Sequence, residues 1–283
     1  MRLLLRTSRG RTLLASQFLI AFGLISAIVQ FAGQVFGLRF AYPGLMTGVS
    51  LAICIIWAFV RSYPRSRAMR EFTHPDLTIV IRIGDIFNEE ADLVVGFSDT
   101  FDTDTTDNYI INESSLQGQL LRQTYGEDRC RLDRELDKAL SGVEPLETET
   151  RATKLKGKLR RYPIGTIAVI GSPQQKIYCV AYSRLNNELT AQSSMNDLWV
   201  SFGQLWKVIG QRGQLSKVAI PVMGAELARV HSLDRENLLK VIILSFIAHS
   251  RTQPICRKLT VVIRPEDAEK VDLLEMQAFL AAL

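Results

Sequence analysis

Apolar positions along the chain follow two different rules. From Thr12 to Leu38, and again from Phe40 to Val60, the sequence is uncharged and largely apolar, with Arg39 alone between the runs. Crossing a hydrocarbon core takes roughly 20 such residues, so residues 1–62 predict a transmembrane helical hairpin with spans at about 13–34 and 41–61. The alternative, a signal peptide, has an apolar stretch of only about 7–15 residues and no second span. Residues 63–76 read as a basic linker. From 77 onward the period changes. Leu77, Ile79, Ile81 and Ile83 alternate with Thr78, Val80 and Arg82, which predicts a strand over 77–83, and a second follows over 92–97. Helices are predicted from Leu116 to Tyr125, capped by Ser114 or Ser115, and over 128–140. Residues 141–160 are charged and irregular. Strands over 166–170 and 176–182 come next. Ser194 and Asp197 have capping-box spacing ahead of a helix whose Leu198, Phe202, Leu205, Trp206 and Ile209 share one face. Trp199, Phe202 and Trp206 also recur at helical spacing and read as core. A strand over 217–221, an apolar helix capped by Ser232 and running to His249, a strand over 258–264 and a final helix opened by Pro265 complete the series.

Strands alternating with helices predict an α/β domain over 77–283, with helices on both faces of its sheet. Charge separates the two regions as sharply as hydropathy does. The first seventy residues hold nine arginines and no acid, whereas residues 71–283 hold 25 Lys and Arg against 29 Asp and Glu, a net of −4. The overall basicity therefore belongs to the membrane segment, and gives no reason to expect a nucleic-acid partner. Lipid headgroups are the natural partner of those arginines. Arg2, Arg6, Arg9 and Arg11 precede the first span, and Arg61, Arg65, Arg67 and Arg70 follow the second. The positive-inside rule then predicts a multi-pass protein of the cell membrane, both termini cytoplasmic and the Gly33–Tyr42 connection outside. Cys54, Cys130, Cys179 and Cys256 show no metal or redox spacing and make no cluster with His74, His231 and His249. No metal and no cofactor is expected.

Within the spans, small residues recur every fourth position: Gly44, Gly48 and Ala52 in the second, Gly23 and Ala27 in the first. Gln30 and Gln34 share that spacing, and an amide in lipid needs an interhelical hydrogen bond. Such a face serves packing within one hairpin or packing between hairpins in an oligomer, and the spacing does not choose.

In an α/β sheet, ligands bind outside the carboxyl ends of the strands. Three loops qualify: Gly84-Asp85-Ile86, Gly96-Phe97-Ser98-Asp99-Thr100-Phe101-Asp102-Thr103, and Pro221-Val222-Met223-Gly224-Ala225-Glu226-Leu227-Ala228-Arg229. Glycine-bearing turns ahead of helices offer backbone N–H groups to a pyrophosphate, and Asp85 can accept from an exocyclic amine. These segments resemble the macrodomain, the ADP-ribose-binding fold, in which a G-D-I segment supplies the aspartate that holds the adenine amine. GFSDTFDT at Gly96–Thr103 is more specifically similar to the G-F-N-D-T-F-D-T loop of the macro domain in Thoeris anti-phage effectors, with Ser98 the one change. Ser115-Leu116-Gln117-Gly118, Tyr162-Pro163-Ile164-Gly165 and Tyr182-Ser183-Arg184-Leu185-Asn186 resemble that family too, as does a two-span anchor.

The resemblance implies a macrodomain-like three-layer α/β/α fold with a mixed central sheet. It also implies a binding set of Asp85 and Ile86; Gly96, Phe97, Ser98, Asp99 and Thr100; Leu116, Gln117 and Gly118; and Pro221, Met223, Gly224, Ala225, Glu226 and Leu227. The ligand it implies is an ADP-ribose derivative made by a TIR-domain partner, and the output is oligomerisation of the hairpins and membrane disruption. Glu226 departs from the family's G-T-G-L, so either it turns away from the phosphates or it meets a cationic part of the ligand. Asp99 stands where hydrolytic macrodomains carry an Asn, and no G-G-G-V-D stretch follows, so binding without turnover is expected. A membrane-tethered ADP-ribosyl hydrolase, with Asp85, Asp99, Asp102, Asp104 or Asp107 as general base, and a passive tethered scaffold are the alternatives. A calcium loop over Asp102–Glu113 is rejected because Asp107 stands where a glycine is needed. Lys154, Lys156, Lys158, Arg160 and Arg161 read as a solvated run, with lipid headgroups or a diphosphate as the other option.

Overall fold

The computed structural model of the chain describes residues 8–36, 42–62, 67–224 and 234–283. They divide into two compact units, one holding the N-terminal helices and Asp272–Leu283, the other holding Met69–Val271. In the first unit, α1 (Ser8–Phe36) and α2 (Pro43–Ser62) pack on each other, and the last helix, α7 (Leu273–Ala282), touches α1. Leu14–Val35 and Gly44–Arg61 are long and apolar enough to cross a membrane. Large apolar side chains such as Leu24, Phe31, Ile56 and Trp57 are exposed, whereas Ala21, Cys54 and Ala58 are buried. The predicted small-residue face is not the α1–α2 interface: Gly23, Ala27, Gln30, Gln34, Gly44, Gly48 and Ala52 are all exposed. A Cβ placed at Gly23, Gly44 or Gly48 would meet nothing within 4 Å.

The second unit is built on a mixed sheet. Its strands are β1 (Arg67–Thr73), β2 (Asp76–Ile83), β3 (Asp92–Ser98), β6 (Ile167–Gly171), β7 (Lys176–Leu185), β8 (Ala191–Gln192), β9 (Leu215–Pro221) and β10 (Cys256–Ile263), while β4 (Glu147–Thr148) and β5 (Arg160–Arg161) form a small separate ribbon. The order is β1-β2-β10-β9-β3-β7-β6, with β8 paired to β7. β2, β10, β9, β3 and β7 run parallel, and β6 and β8 run antiparallel to β7. β1 occupies much of the stretch that reads as linker: Arg67–Thr73 interleave apolar Ala68, Met69 and Phe72 with charged residues, and only Ala68 is buried. An exposed edge strand buries little, so its sequence carries little alternation.

Helices α3 (Leu116–Tyr125) and α4 (Arg129–Leu140) cover one sheet face, burying Leu120, Leu121, Leu132, Leu136 and Leu140 against Leu93, Val95, Phe97 and Cys179. Helices α5 (Met195–Arg212) and α6 (Arg235–Ser250) pack on each other, Phe202 stacking on Trp206 and Trp206 meeting Phe246 edge to face. Both caps in front of α3 and α5 are as the sequence predicts, Ser115 accepting from Gly118 N–H and Ser194 with Asp197 forming a complete capping box. Two other helix starts differ. Asp234 caps α6 by accepting from Asn237 N–H; Ser232 lies outside the described residues. Pro265 opens a 3-10 segment, Pro265–Lys270, and α7 starts only after the extended Val271, capped by Asp272. Trp199 is about half exposed, because Leu198 rather than its neighbour takes the core position on α5. Burial pushes the Cys179 thiol up, and that of Cys256 to about 12, so both are packing groups rather than nucleophiles.

Candidate functional site

Strand ends from β2, β3, β7, β9 and β10 converge on one cavity of about 390 Å³, within the range of small-molecule sites. After β2 the chain turns through Gly84, whose N–H donates to the Ile263 carbonyl at 2.9 Å and so holds this turn beside the end of β10. Asp85 caps the short turn Ile86–Asn88, accepting from Phe87 N–H through Oδ1 at 3.0 Å. Among the described residues no cation pairs with it, so its second oxygen is available to a donor. The first turn of α3 lines the same cavity. Ser115, Leu116 and Gln117 line the wall, and the first N–H groups of a helix have no partners within it. The Nε2 of Gln117 is buried there without a hydrogen-bond partner. Such a donor is unfavourable until a ligand or water accepts from it.

The floor comes from β3. A Cβ at Gly96 would overlap Cε1 of Tyr182, so only glycine lets that ring sit against β3. Gly96, Phe97 and Ser98 line the cavity, as do Pro221, Met223 and Gly224 from the end of β9. Gly224 has φ +88, a conformation that glycine adopts without strain. Ala225, Glu226 and Leu227 lie outside the described residues, as do Arg229 and His231.

Three expected site residues stand elsewhere. Gly118 faces the passing chain, where a Cβ would come within 2.6 Å of the Glu113 backbone. Asp99 turns away from the cavity: its Oδ1 accepts Leu185 N–H at 2.9 Å and its Oδ2 accepts from Arg161 at 3.0 Å. Thr100 is buried and donates to Asp102 at 2.6 Å. Asp102 also accepts from Lys158 N–H and from the Nζ of Lys154, a lysine with no exposed surface. The basic run is thus only partly solvated, Lys156 and Arg160 being exposed, and none of its residues lines the cavity. Lys154 pairs with Asp102, Lys158 with Asp133, and Arg161 with Asp99 and Glu149, while Lys156 lies over the Tyr109 ring. Asp104 pairs with Arg129 at 3.0 Å. Partial burial would raise its carboxyl, but hydrogen bonds from Thr106 and the Arg129 charge outweigh that and hold it below the usual value. Among the described residues, no group of three or more His, Cys, Asp or Glu is arranged to hold a metal ion.

Several wall residues escape the sequence reading: Ile110, Ile111 and Asn112; Tyr182, Ser183, Leu185, Leu189 and Ala191; and Arg264, Pro265, Glu266 and Asp267. The second group begins in the Tyr182–Asn186 stretch already singled out by resemblance. The third becomes visible only once β10 is known to lie between β2 and β9.

Residues 79–264 match the family described as "Thoeris protein ThsA, Macro domain". The chain belongs to that family. A curated relative, the Thoeris protein ThsA of Bacillus amyloliquefaciens (strain Y2), is 24% identical over 241 residues, which is 83% of this chain and 77% of the relative. Among solved structures, the Oceanobacillus iheyensis macrodomain with ADP superposes with a TM-score of 0.51 at 13% identity, covering 77% of this chain and 99% of that one. An asparagine-to-alanine mutant of the same macrodomain gives 0.50 at 11% identity, covering 78% and 97%. At such identities the superpositions establish the macrodomain fold. The family match rests on the sequence, and spans both the Gly84–Ile86 turn and the GFSDTFDT segment of this ThsA-type macro domain.

Proposed function

We propose that the chain is a membrane-anchored receptor of anti-phage defence, whose macro domain binds an ADP-ribose-derived nucleotide in the cavity at the strand ends. The observation that carries this reading is the pairing of two unlike walls: Asp85 with a carboxylate oxygen free to accept, and the α3 N-terminus with the unpartnered Gln117 amide. An adenine amine suits the first and a diphosphate the second. The Oceanobacillus iheyensis macrodomain solved with ADP, of the same fold, supports this reading. The nucleotide is a signal supplied by a TIR-domain enzyme, and both termini of the receptor face the cytoplasm that supplies it.

Binding without turnover is supported by the loop acids: Asp99, Asp102 and Asp104 are each engaged by cations. The small-residue face of the hairpin, left open within one chain, suits contact between hairpins in an assembled, membrane-disrupting state. Assembly requires that the ligand prefer the assembled form, since equal affinity shifts nothing.

The test is calorimetry on the full chain in lipid nanodiscs, titrated with ADP-ribose. The wild type is expected to bind and Asp85→Ala to lose binding; equal binding by both would remove Asp85 from the site. Release of free ADP-ribose from an ADP-ribosylated protein by the same preparation would instead favour the hydrolase. For the output, Gly48→Ile is expected to spare binding and to abolish depolarisation of cells given the signal. Depolarisation that persists would leave the small-residue face without that role.

A further inference from the structure

We propose that Arg161 is a positioning residue for the cavity: its guanidinium ties the end of β3 to the end of β7 and to the turn before β8, and so sets the wall formed by Ser98, Leu185 and Leu189. This rests on the reading of the cavity as a nucleotide site, and goes beyond it in assigning a residue that lines no part of it. The side chain is 12% exposed and makes four hydrogen bonds. Nη1 donates to Asp99 Oδ2 at 3.0 Å and to the Leu185 carbonyl at 2.6 Å, Nη2 donates to Asn187 Oδ1 at 2.7 Å, and Nε donates to Glu149 Oε1 at 2.8 Å.

The need for such a tie follows from the sheet. β3 and β7 pair in regular parallel register up to Phe97 and then slip, Ser98 facing Ser183. Beyond the slip a single backbone bond, Asp99 N–H to the Ser183 carbonyl at 2.8 Å, still joins the two strand ends, and side chains supply the rest of the tie. Asp99 bridges them from one side, accepting Leu185 N–H, and Arg161 grips Asp99 and the same Leu185 from the other. Its contact with Asn187 extends the grip into the turn whose Leu189 lines the cavity with Leu185. A rigid planar fork can address these acceptors together; a lysine offers one point charge.

The experiment uses the full chain in nanodiscs with ADP-ribose as the probe, and compares the wild type with Arg161→Lys and Asn187→Ala. Three quantities are read: calorimetric affinity, hydrogen exchange of residues 183–191 without ligand, and the unfolding midpoint. Arg161→Lys is expected to weaken affinity about tenfold, the size of one charge-assisted hydrogen bond, and to speed exchange over 183–191 while leaving β10 unchanged. Asn187 is exposed, so its truncation keeps the fold; it is expected to weaken affinity about threefold at an unchanged midpoint. That second variant decides the matter if Arg161→Lys does not fold. Wild-type affinity in both variants, or in Asn187→Ala alone where the other fails to fold, overturns the proposal, as does a lowered midpoint with affinity intact, which marks a purely structural role. A wild type that takes up no ADP-ribose overturns the nucleotide reading, and this proposal with it; a wild type that binds beside variants that bind equally overturns this proposal alone.

Discussion

The two aspartate-bearing loops at the strand ends use their carboxylates in opposite ways. Asp85, alone in its turn, accepts one backbone N–H and keeps an oxygen for the cavity. The acid-rich segment after β3 looks better equipped for ligand, yet Asp99 and Asp102 are consumed by Arg161, Lys154 and backbone donors behind the cavity wall. The difference is one of depth. A buried carboxylate must find cations and N–H groups, and the chain supplies them from the basic run 154–161. A carboxylate at the rim can leave half its capacity open to whatever enters. Density of acidic residues in the sequence therefore marks the scaffold here, and the isolated aspartate marks the site.

The comparison breaks most visibly at Lys154. Replacing it with Met strands a buried charge on Asp102, and breaking a buried pair from one side typically destabilises by about 3–5 kcal/mol. Chemical denaturation of the full chain in detergent should show this as a lower midpoint, and an unchanged midpoint would mean that Lys158 and water replace the lost partner. The rim behaves otherwise. Asp85→Ala removes the cap of a three-residue turn, a loss of about 1 kcal/mol in stability, while binding should fall about 10–100-fold because a charged acceptor disappears. If stability falls as far as in Lys154→Met, the contrast between rim and interior fails.

Gly96 lies between these extremes, since it belongs to both scaffold and wall. In Gly96→Ala the new methyl displaces the Tyr182 ring, at about 1–3 kcal/mol for overpacking, and reshapes the cavity at the same time. Stability by denaturation and affinity by calorimetry should therefore fall together, unlike in either variant above. Affinity kept despite lost stability would place the Tyr182 ring outside the ligand's reach.

Local patterns made most of this legible. Alternation from Leu77 to Ile83 gives β2, Ser194 with Asp197 gives the start of α5, and Gly84–Ile86 gives the rim aspartate. What stayed hidden depends on strand order. Arg264 to Asp267 reach the cavity because β10 inserts beside β2, and no local pattern encodes that neighbour. The buried face of the basic run was equally invisible: charges at alternate positions look solvated until their partners, 52 to 62 residues away in Asp102 and Asp99, are known. β1 escaped because an edge strand with one buried residue has no apolar face to announce it.

Acid sensitivity offers the finest division between the two kinds of carboxylate. Asp267, a buried residue of the cavity wall, pairs with Arg235 at 2.6 Å and Lys270 at 3.0 Å. Partial burial would raise its carboxyl, but Lys270 and Arg235 outweigh that and hold it below the ordinary value, as Thr106 and Arg129 do for Asp104. A depressed carboxyl stabilises the fold fully above its unfolded value of about 3.9, and that stabilisation is lost as pH falls through the lower, folded value. Unfolding midpoints should thus be flat near neutrality and decline below about pH 4. Asp267→Asn should lower the neutral plateau slightly and flatten the acid limb, and Asp104→Asn should do so less, because its partner Arg129 is 45% exposed and well screened. The Asp104→Asn effect is expected below about 1 kcal/mol. An acid limb unchanged in both variants would mean that neither the Asp267 nor the Asp104 ion pairs set the acid sensitivity of the macro domain.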